Sequence, residues 1–327
     1  MLLKKIAVFN CNGIGDVILS TPILKSLHDT YPDSKITFVV RPIVKDVVAG
    51  LSFIDNVVTY EKGQPIWPVI RQIWRYDIAL CLDFKYRSAV MPFLAMVPIR
   101  AGLKHKRGLF MTHAVPRDPN EEAIYEPYNF ANIIRNSIGI AINGDLTKLY
   151  VSPATQQEQE NVDNLFKSIT PAGKVVAIAP FTSAEHKDWP ISYYQGLIDK
   201  LTAAGDCKVV VLGAANDAAK ANFVNATNWV GRTSLAGMAE VLRRCSLFVG
   251  NCSGPLHIAA AVGVPIVAIY GSTSAKHWAP RNNTIVIQRN LQCSPCDGRN
   301  IRCNDHVCLN SIPVEEVFSA CQKFLVL

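Results

Sequence analysis

The sequence lacks any apolar stretch able to cross a bilayer. A membrane helix needs about 20 apolar residues, and the longest apolar run near the middle, Ala89 to Ile99, is shorter and holds Pro92 and Pro98. A signal-peptide core is also missing, because Asn10 and Asn12 interrupt the apolar run that follows Lys4 and Lys5. These absences predict a cytoplasmic protein that meets a membrane only peripherally. Charge is sparse, at 18% against 49% hydrophobic residues, which excludes a disordered chain. No zinc-finger spacing and no aromatic-rich basic strand is present, so no nucleic-acid partner is expected. After Gly13-Ile14-Gly15 no third glycine follows at the dinucleotide offset, and no ribose-binding acid ends the second strand, which argues against a redox Rossmann enzyme. No Asp-x-Asp pair occurs.

The chain does hold 33 Lys and Arg against 26 Asp and Glu, a net charge of +7. That balance favours an anionic partner: a nucleotide, a phosphorylated glycan or an acidic membrane surface. Ten cysteines are present. Six are scattered, and four form Cys293-x2-Cys296-x6-Cys303-x4-Cys308 around His306. The cluster reads as a structural metal site, as disulfides or as packed free thiols. Its spacing departs from a standard finger, so no metal is assigned.

At 327 residues the chain is long enough for two domains. Two glycine-rich segments mark them. Ile6-Ala7-Val8-Phe9 runs into Asn10-Cys11-Asn12-Gly13-Ile14-Gly15-Asp16, and Leu247-Phe248-Val249-Gly250 runs into Asn251-Cys252-Ser253-Gly254-Pro255-Leu256-His257. Each reads as strand, tight turn and helix. A helix N-terminus offers unpaired N–H groups and a positive dipole end, so both turns are expected to be anion sites.

Strands are expected over 5–10, 35–40, 56–60, 78–82, 100–103, 174–179, 208–212, 247–249, 266–270 and 284–288. Helices are expected from near Asp16, with Pro22 in its first part, and over 44–49, 66–74, 88–98 (broken by Pro92 and Pro98), 125–137, 156–169, 193–204, 217–224, 235–243, 256–262 and 313–324. The segment 104–122 reads as an acceptor-side or membrane-facing loop, or as a solvated connection. The alternation gives an α/β fold of two doubly wound, Rossmann-like domains. They are placed at 1–168 and 169–327, with the last helix packing back toward the first domain.

Asp16 opens a helix. Helix capping alone would explain it, and helix position predicts a low pKa. Lys187 could be a solvated lysine, His257 a buried core residue, and Asp217 a helix-terminal acid.

Four blocks give these residues a second meaning. They are Asn12-Gly13-Ile14-Gly15-Asp16-Val17-Ile18-Leu19-Ser20-Thr21-Pro22, then Pro180-Phe181-Thr182-Ser183-Ala184-Glu185-His186-Lys187-Asp188-Trp189-Pro190, then Val230-Gly231-Arg232-Thr233-Ser234-Leu235, and Asn251-Cys252-Ser253-Gly254-Pro255-Leu256-His257-Ile258-Ala259-Ala260-Ala261 through Tyr270-Gly271-Ser272-Thr273. In order and spacing the chain resembles the glycosyltransferase family that contains the bacterial lipopolysaccharide heptosyltransferases. Cys293-Ser294-Pro295-Cys296 with Cys308-Leu309 is similar to it as well.

The resemblance implies a metal-independent GT-B enzyme, its two domains facing a central cleft. The first domain would bind the acceptor and the second a nucleotide sugar, ADP-heptose in the heptosyltransferases. Asp16 would be the base, with Asn12, Gly13 and Gly15 in its loop. Thr182, Ser183, Lys187, Ser253 and Gly254 would meet the diphosphate. Asp217, Thr233, Asn251, Cys252, Pro255 and His257 would meet nucleoside or sugar. No cofactor beyond the donor is implied. The partner would be a phosphorylated glycolipid or lipopolysaccharide core, with contact to the anionic inner membrane from the cytoplasmic face. Cys252 departs from the family, which usually has Asp there, so the donor sugar stays open. Transfer of another nucleotide-activated sugar, or binding without turnover, remains an alternative.

Overall fold

Runs of Val, Ile and Phe without polar alternation build strands that are covered on both faces. A computed structural model describes residues 3–169, 173–205, 207–296, 303 and 305–325. It divides into two units, Met1–Ser152 and Pro153–Leu327.

The first unit holds β1 (Lys5–Asn10), α1 (Ile14–Thr30), β2 (Lys35–Val40), β3 (Asn56–Thr59), α2 (Trp67–Gln72), β4 (Ile78–Cys81), α3 (Tyr86–Leu94), β5 (Ile99–Leu103), β6 (His113–Val115) and α4 (Glu126–Ile138). Its strands are all parallel in the order β3-β2-β1-β4-β5-β6. Ile6 lies between Ile36 and Ile78, and the stretch Ile6 to Phe9 is fully buried.

The second unit holds α5 (Gln156–Lys167), β7 (Lys174–Ala179), α6 (Ile191–Ala203), β8 (Cys207–Val211), β9 (Ala226–Asn228), α7 (Leu235–Arg243), β10 (Leu247–Asn251), α8 (Gly254–Val262), β11 (Ile266–Tyr270), α9 (Ala275–Trp278), β12 (Thr284–Gln288), α10 (Val307–Asn310) and α11 (Val314–Leu325). Its parallel order is β12-β11-β10-β7-β8-β9. Renumbered within the unit, this repeats the order of the first sheet. The order reverses at β1/β4 and at β7/β10. Crevices for ligands form at such switch points, outside the carboxyl ends of the strands.

Both interior prolines are accommodated by side chains. Pro22 lies well inside α1, not in its first part, and leaves the Ile18 carbonyl without its helical donor. The Thr21 hydroxyl donates to that carbonyl at 2.6 Å. Pro92 does the same to the Ser88 carbonyl in α3, which accepts from the Cys81 thiol at 3.0 Å. The expected break at Pro92 therefore does not occur.

Other expectations change as well. Segment 104–122 carries a 3-10 turn, His105–Phe110, and the edge strand β6. The helix expected over 217–224 is only a 3-10 turn, Ala215–Lys220, and β9 follows it. The segment 44–49 is likewise part of a 3-10 turn, Pro42–Val47. The division between units falls at 152/153, not at 168/169. Helix α5 packs on α7, and its Phe166 ring meets Trp229 edge-on at 5.1 Å. Helix α11 packs on α6, β10 and β11 of its own unit, burying Val317, Cys321 and Leu325 in that core.

Candidate active site

Asp16 sits in the first turn of α1, just past the carboxyl end of β1. The fully buried Asn10 shapes its loop: the Asn10 amide donates to the Asp16 carbonyl at 3.0 Å, and its Oδ1 accepts the Asn12 N–H at 3.4 Å. The Asn12 amide donates to Asp16 Oδ1 at 3.3 Å. Gly13 has an ordinary extended backbone, but a Cβ there would stand 3.3 Å from Asp16 Oδ2. Glycine is used at this position for space. Gly15 continues into the helix.

The Asp16 carboxyl is pushed up to about 6. Burial is the main cause, and the nearby Glu126 at the start of α4 adds to it. Hydrogen bonds from the Asp16 and Gly13 backbone and from Asn12 pull the other way and lose. The low pKa expected from helix position is thus overturned by desolvation. The carboxylate also occupies the α1 N-terminus itself, so the first glycine turn carries its own acid at the place expected for an anion.

Behind this loop lies a buried ionic group that sequence reasoning missed. Asp83, just beyond β4, accepts the Cys11 N–H at 2.7 Å and the Ser88 hydroxyl at 2.7 Å through Oδ2, and the Lys85 N–H at 2.9 Å through Oδ1. Arg107 also reaches it, and donates to the carbonyls of Leu103, Lys85 and Cys81. Asp83 therefore fixes the residue from which the Asp16 loop departs.

In the second unit the loops after β7 and β10 are neighbours, because those strands pair. Asn251 is fully buried, and its amide joins the two loops. Its Oδ1 accepts the Trp189 N–H at 3.2 Å and its Nδ2 donates to the Pro180 carbonyl at 2.8 Å. This corrects its expected place against the sugar: the side chain holds the loops together. Thr182 also works within its loop, with its hydroxyl bonded to Ala184 and its N–H donated to Asp188 at 2.9 Å. Ser183 is exposed, and Lys187 is half-buried without a carboxylate partner among the described residues. Burial pushes Asp188 up to about 6, a second acid that sequence reasoning did not single out.

Helix α8 begins at Gly254 with Pro255 in its first turn, and no side chain caps it. The Ser253 hydroxyl donates instead to the Asn251 carbonyl at 3.3 Å. This N-terminus, unlike that of α1, keeps no acid of its own in its first turn. Cys252 is half-buried between Asn251 and Ser253. His257 is buried, its Nδ1 has no hydrogen-bond partner among the described residues, and burial lowers its pKa to about 4. It is a neutral imidazole at physiological pH.

Asp217 and Thr233 lie in the turns after β8 and β9. Gly231 brings these turns together. It has φ +72°, and a Cβ there would stand 2.7 Å from Ala215 Cα, so both backbone and space require glycine. Every donor-side residue read from the sequence thus falls at the carboxyl edge of the second sheet.

None of the ten cysteines forms a disulfide, and no group of metal-ligating side chains able to hold an ion is present among the described residues. Residues 297–302, between Cys296 and Cys303, lie outside the described residues.

Two parallel Rossmann-like sheets of repeated order, with candidate residues at the carboxyl edge of each, define the GT-B class of glycosyltransferase fold. The structure is similar to that of a family 9 glycosyl transferase from Veillonella parvula DSM 2008, with TM-score 0.84, 23% identity and coverage of 100% of this chain and 99% of the other. It is similar to E. coli ADP-heptose lps heptosyltransferase II, with TM-score 0.81, 22% identity and 98% of both chains covered. In sequence it is 24% identical to an Escherichia coli lipopolysaccharide heptosyltransferase 3 over 338 residues, covering 95% of this chain and 96% of that one. The family 9 glycosyltransferase (heptosyltransferase) model matches residues 68–305, and the chain belongs to that family.

Proposed function

We propose that the protein is an inverting glycosyltransferase that moves heptose from ADP-heptose to a sugar of a lipopolysaccharide core. Asp16 carries this reading. A carboxylate held near 6 is still ionised at neutral pH, yet takes a proton more readily than an exposed aspartate. It accepts the proton of an acceptor hydroxyl while that oxygen forms a bond to the anomeric carbon. The bond from that carbon to the diphosphate breaks in the same step, and the diphosphate leaves with the electron pair. One displacement inverts the carbon. Lys187 and the uncapped α8 N-terminus offset the leaving charge, with no metal in the step. The relatives named above, an ADP-heptose heptosyltransferase among them, support the choice of donor. The enzyme works in the cytoplasm at the inner membrane face, where a phosphorylated glycolipid acceptor is held.

The test is Asp16→Asn, assayed for transfer and for nucleotide affinity in one preparation. Turnover falls at least about 100-fold, the lower scale of a lost general base, with nucleotide affinity retained. Near-normal turnover would remove Asp16 from the mechanism and leave it a capping residue.

Cys252 favours a second reading, transfer of a different nucleotide-activated sugar, because a thiol is a poor acceptor for sugar hydroxyls. Cys252→Asp tested across a panel of nucleotide sugars separates the two. A gain with ADP-heptose supports the first reading, and a loss confined to another, natively preferred donor supports the second.

A further inference from the structure

The seven Lys and Arg between residues 84 and 117, with no Asp or Glu among them, equal the net charge of the whole chain, +7. Two of the seven are neutralised locally, Arg107 by the buried Asp83 and Arg117 by Glu121. Lys85, Arg87, Lys104 and Lys106 remain exposed on the surface. Arg87 and Lys106 lie on α3 and the adjoining 3-10 turn, His105–Phe110, which pack together, and Lys85 and Lys104 immediately precede these two elements.

The same two elements expose apolar side chains. Phe110 is the joint: its ring meets Tyr86 edge-on at 5.2 Å and Phe93 at 5.3 Å. Tyr86 and Phe93 stand seven residues apart, two turns along one face of α3. They stay 55% and 44% exposed, and Leu109, next to the joint, is 87% exposed. Isolated exposed apolar residues need no explanation. A cluster braced by its own ring contacts, and set among cations with no acid in the segment, does.

We propose that α3 and the His105–Phe110 turn form a docking surface for an anionic lipid bilayer. Tyr86, Phe93 and Leu109 enter the headgroup region while Lys85, Lys104 and Lys106 meet lipid phosphates. Two chemistries are combined, and both are needed to choose the occupant. A soluble sugar phosphate would use the lysines but leaves Leu109 without purpose. A neutral protein partner would use the rings but leaves the one-signed charge without purpose. A bilayer of anionic lipid uses both. The surface begins at the carboxyl ends of β4 and β5, the sheet edge that also bears Asp16 after β1. The inference deepens the proposal of a membrane-held acceptor and rests on it for its purpose, but its test needs no turnover.

The experiment is flotation of the full chain with vesicles of phosphatidylglycerol and phosphatidylcholine, and with phosphatidylcholine alone. Wild type floats with the former only and is released by molar salt, where screening shortens to about 3 Å. The variant Lys85→Ala/Lys104→Ala/Lys106→Ala lowers the partition constant on the order of 100-fold, since each basic residue near an anionic surface is worth about five-fold. Leu109→Ser lowers it about ten-fold or more, through lost apolar insertion. Melting curves of both variants match wild type, because all four positions are exposed. Failure of wild type to float, equal binding to the neutral vesicles, or unchanged binding by the variants would overturn the proposal. So would binding of a water-soluble sugar phosphate at the three lysines without vesicle binding. If vesicles bind and no sugar is transferred, the glycosyltransferase reading falls and the docking surface stands.

Discussion

Arg107 places Nη1 3.4 Å from Asp83 Oδ1, and both side chains are withdrawn from water, at 1% and 0% exposure. A buried charge left alone is far more costly than a buried pair. Arg107→Met is therefore predicted to destabilise the first unit by about 3–5 kcal/mol, the usual effect of breaking a buried pair. Urea unfolding followed by fluorescence measures it. A change below about 1 kcal/mol, the scale of an exposed pair, would show that Asp83 is satisfied without the guanidinium.

Asp16 predicts a pH dependence with a definite sign. Its folded pKa, about 6, lies above the unfolded value of an aspartate. Above pH 6 the folded state therefore carries the full desolvation penalty of the charged form. The penalty is relieved as pH falls from 6 toward 4, and is absent below that. Asp16→Asn should stabilise the protein at pH 7–8 by on the order of 1–3 kcal/mol, with the gain vanishing by about pH 4. Wild-type turnover should fall as pH drops through about 6, when the base is protonated. Thermal melts across this range, paired with a pH–rate profile, check both halves. A stabilisation that grows as pH falls would reverse the assignment.

Lys187 is half-buried and makes no ion pair among the described residues, so its charge is available to a ligand. Lys187→Ala should weaken binding of ADP while leaving adenosine binding nearly unchanged. Calorimetry with the two ligands reads the difference. Equal losses for both would move Lys187 away from the diphosphate.

His257 carries the opposite sign. Its folded pKa, about 4, lies below the unfolded value, so only the unfolded state gains a proton between about pH 6.5 and 4. The imidazole should contribute a loss of up to about 3 kcal/mol across that window, opposed in wild type by the gain at Asp16, so His257→Gln should become more stable relative to wild type as pH falls. Melts of the two proteins at matched pH test it. Parallel curves would mean that the imidazole takes its proton in the fold as it does in water.

The strands were legible because β-branched runs buried on both faces carry their own signal. Lys174–Ala179 and Ile266–Tyr270 are found where their sequences place them, and so is Thr284–Gln288, whose β-branched run is legible although it is an edge strand that leaves Val286 exposed. The edge strands β6 and β9 were not, since each has three residues and one neighbour, and long-range pairing defines them. Ala218 and Ala219 favour helix by propensity, but contact of that turn with Gly231 confines it to a short 3-10 turn. The unit boundary was misplaced because α5 is recruited by α7 and Trp229, which lie far along the chain. In the candidate site, Asp16, Lys187 and His257 are singled out by the family resemblance of their blocks, since their local sequence equally fits a helix cap, a solvated lysine and a core histidine. Asp83 is not, because its partner Arg107 comes from a stretch that reads as an exposed loop or connection, and nothing in it signals a buried arginine. Asn251 and Thr182 bond to loops of their own unit, which the sequence does not reveal: a polar side chain beside a glycine turn looks alike whether it faces a ligand or its own backbone.

The Asn251 amide has a consequence for how a ligand is received. By bonding to both Trp189 and Pro180, it makes the Lys187 loop and the α8 N-terminus one rigid piece. Two separate loops would each lose conformational freedom when a diphosphate arrived, and affinity would fall by that entropy. Here the freedom is already surrendered during folding. A diphosphate bound there, as proposed, would meet a preorganised cradle, and its binding free energy would be kept for discrimination between ligands instead of for assembling the place that receives them.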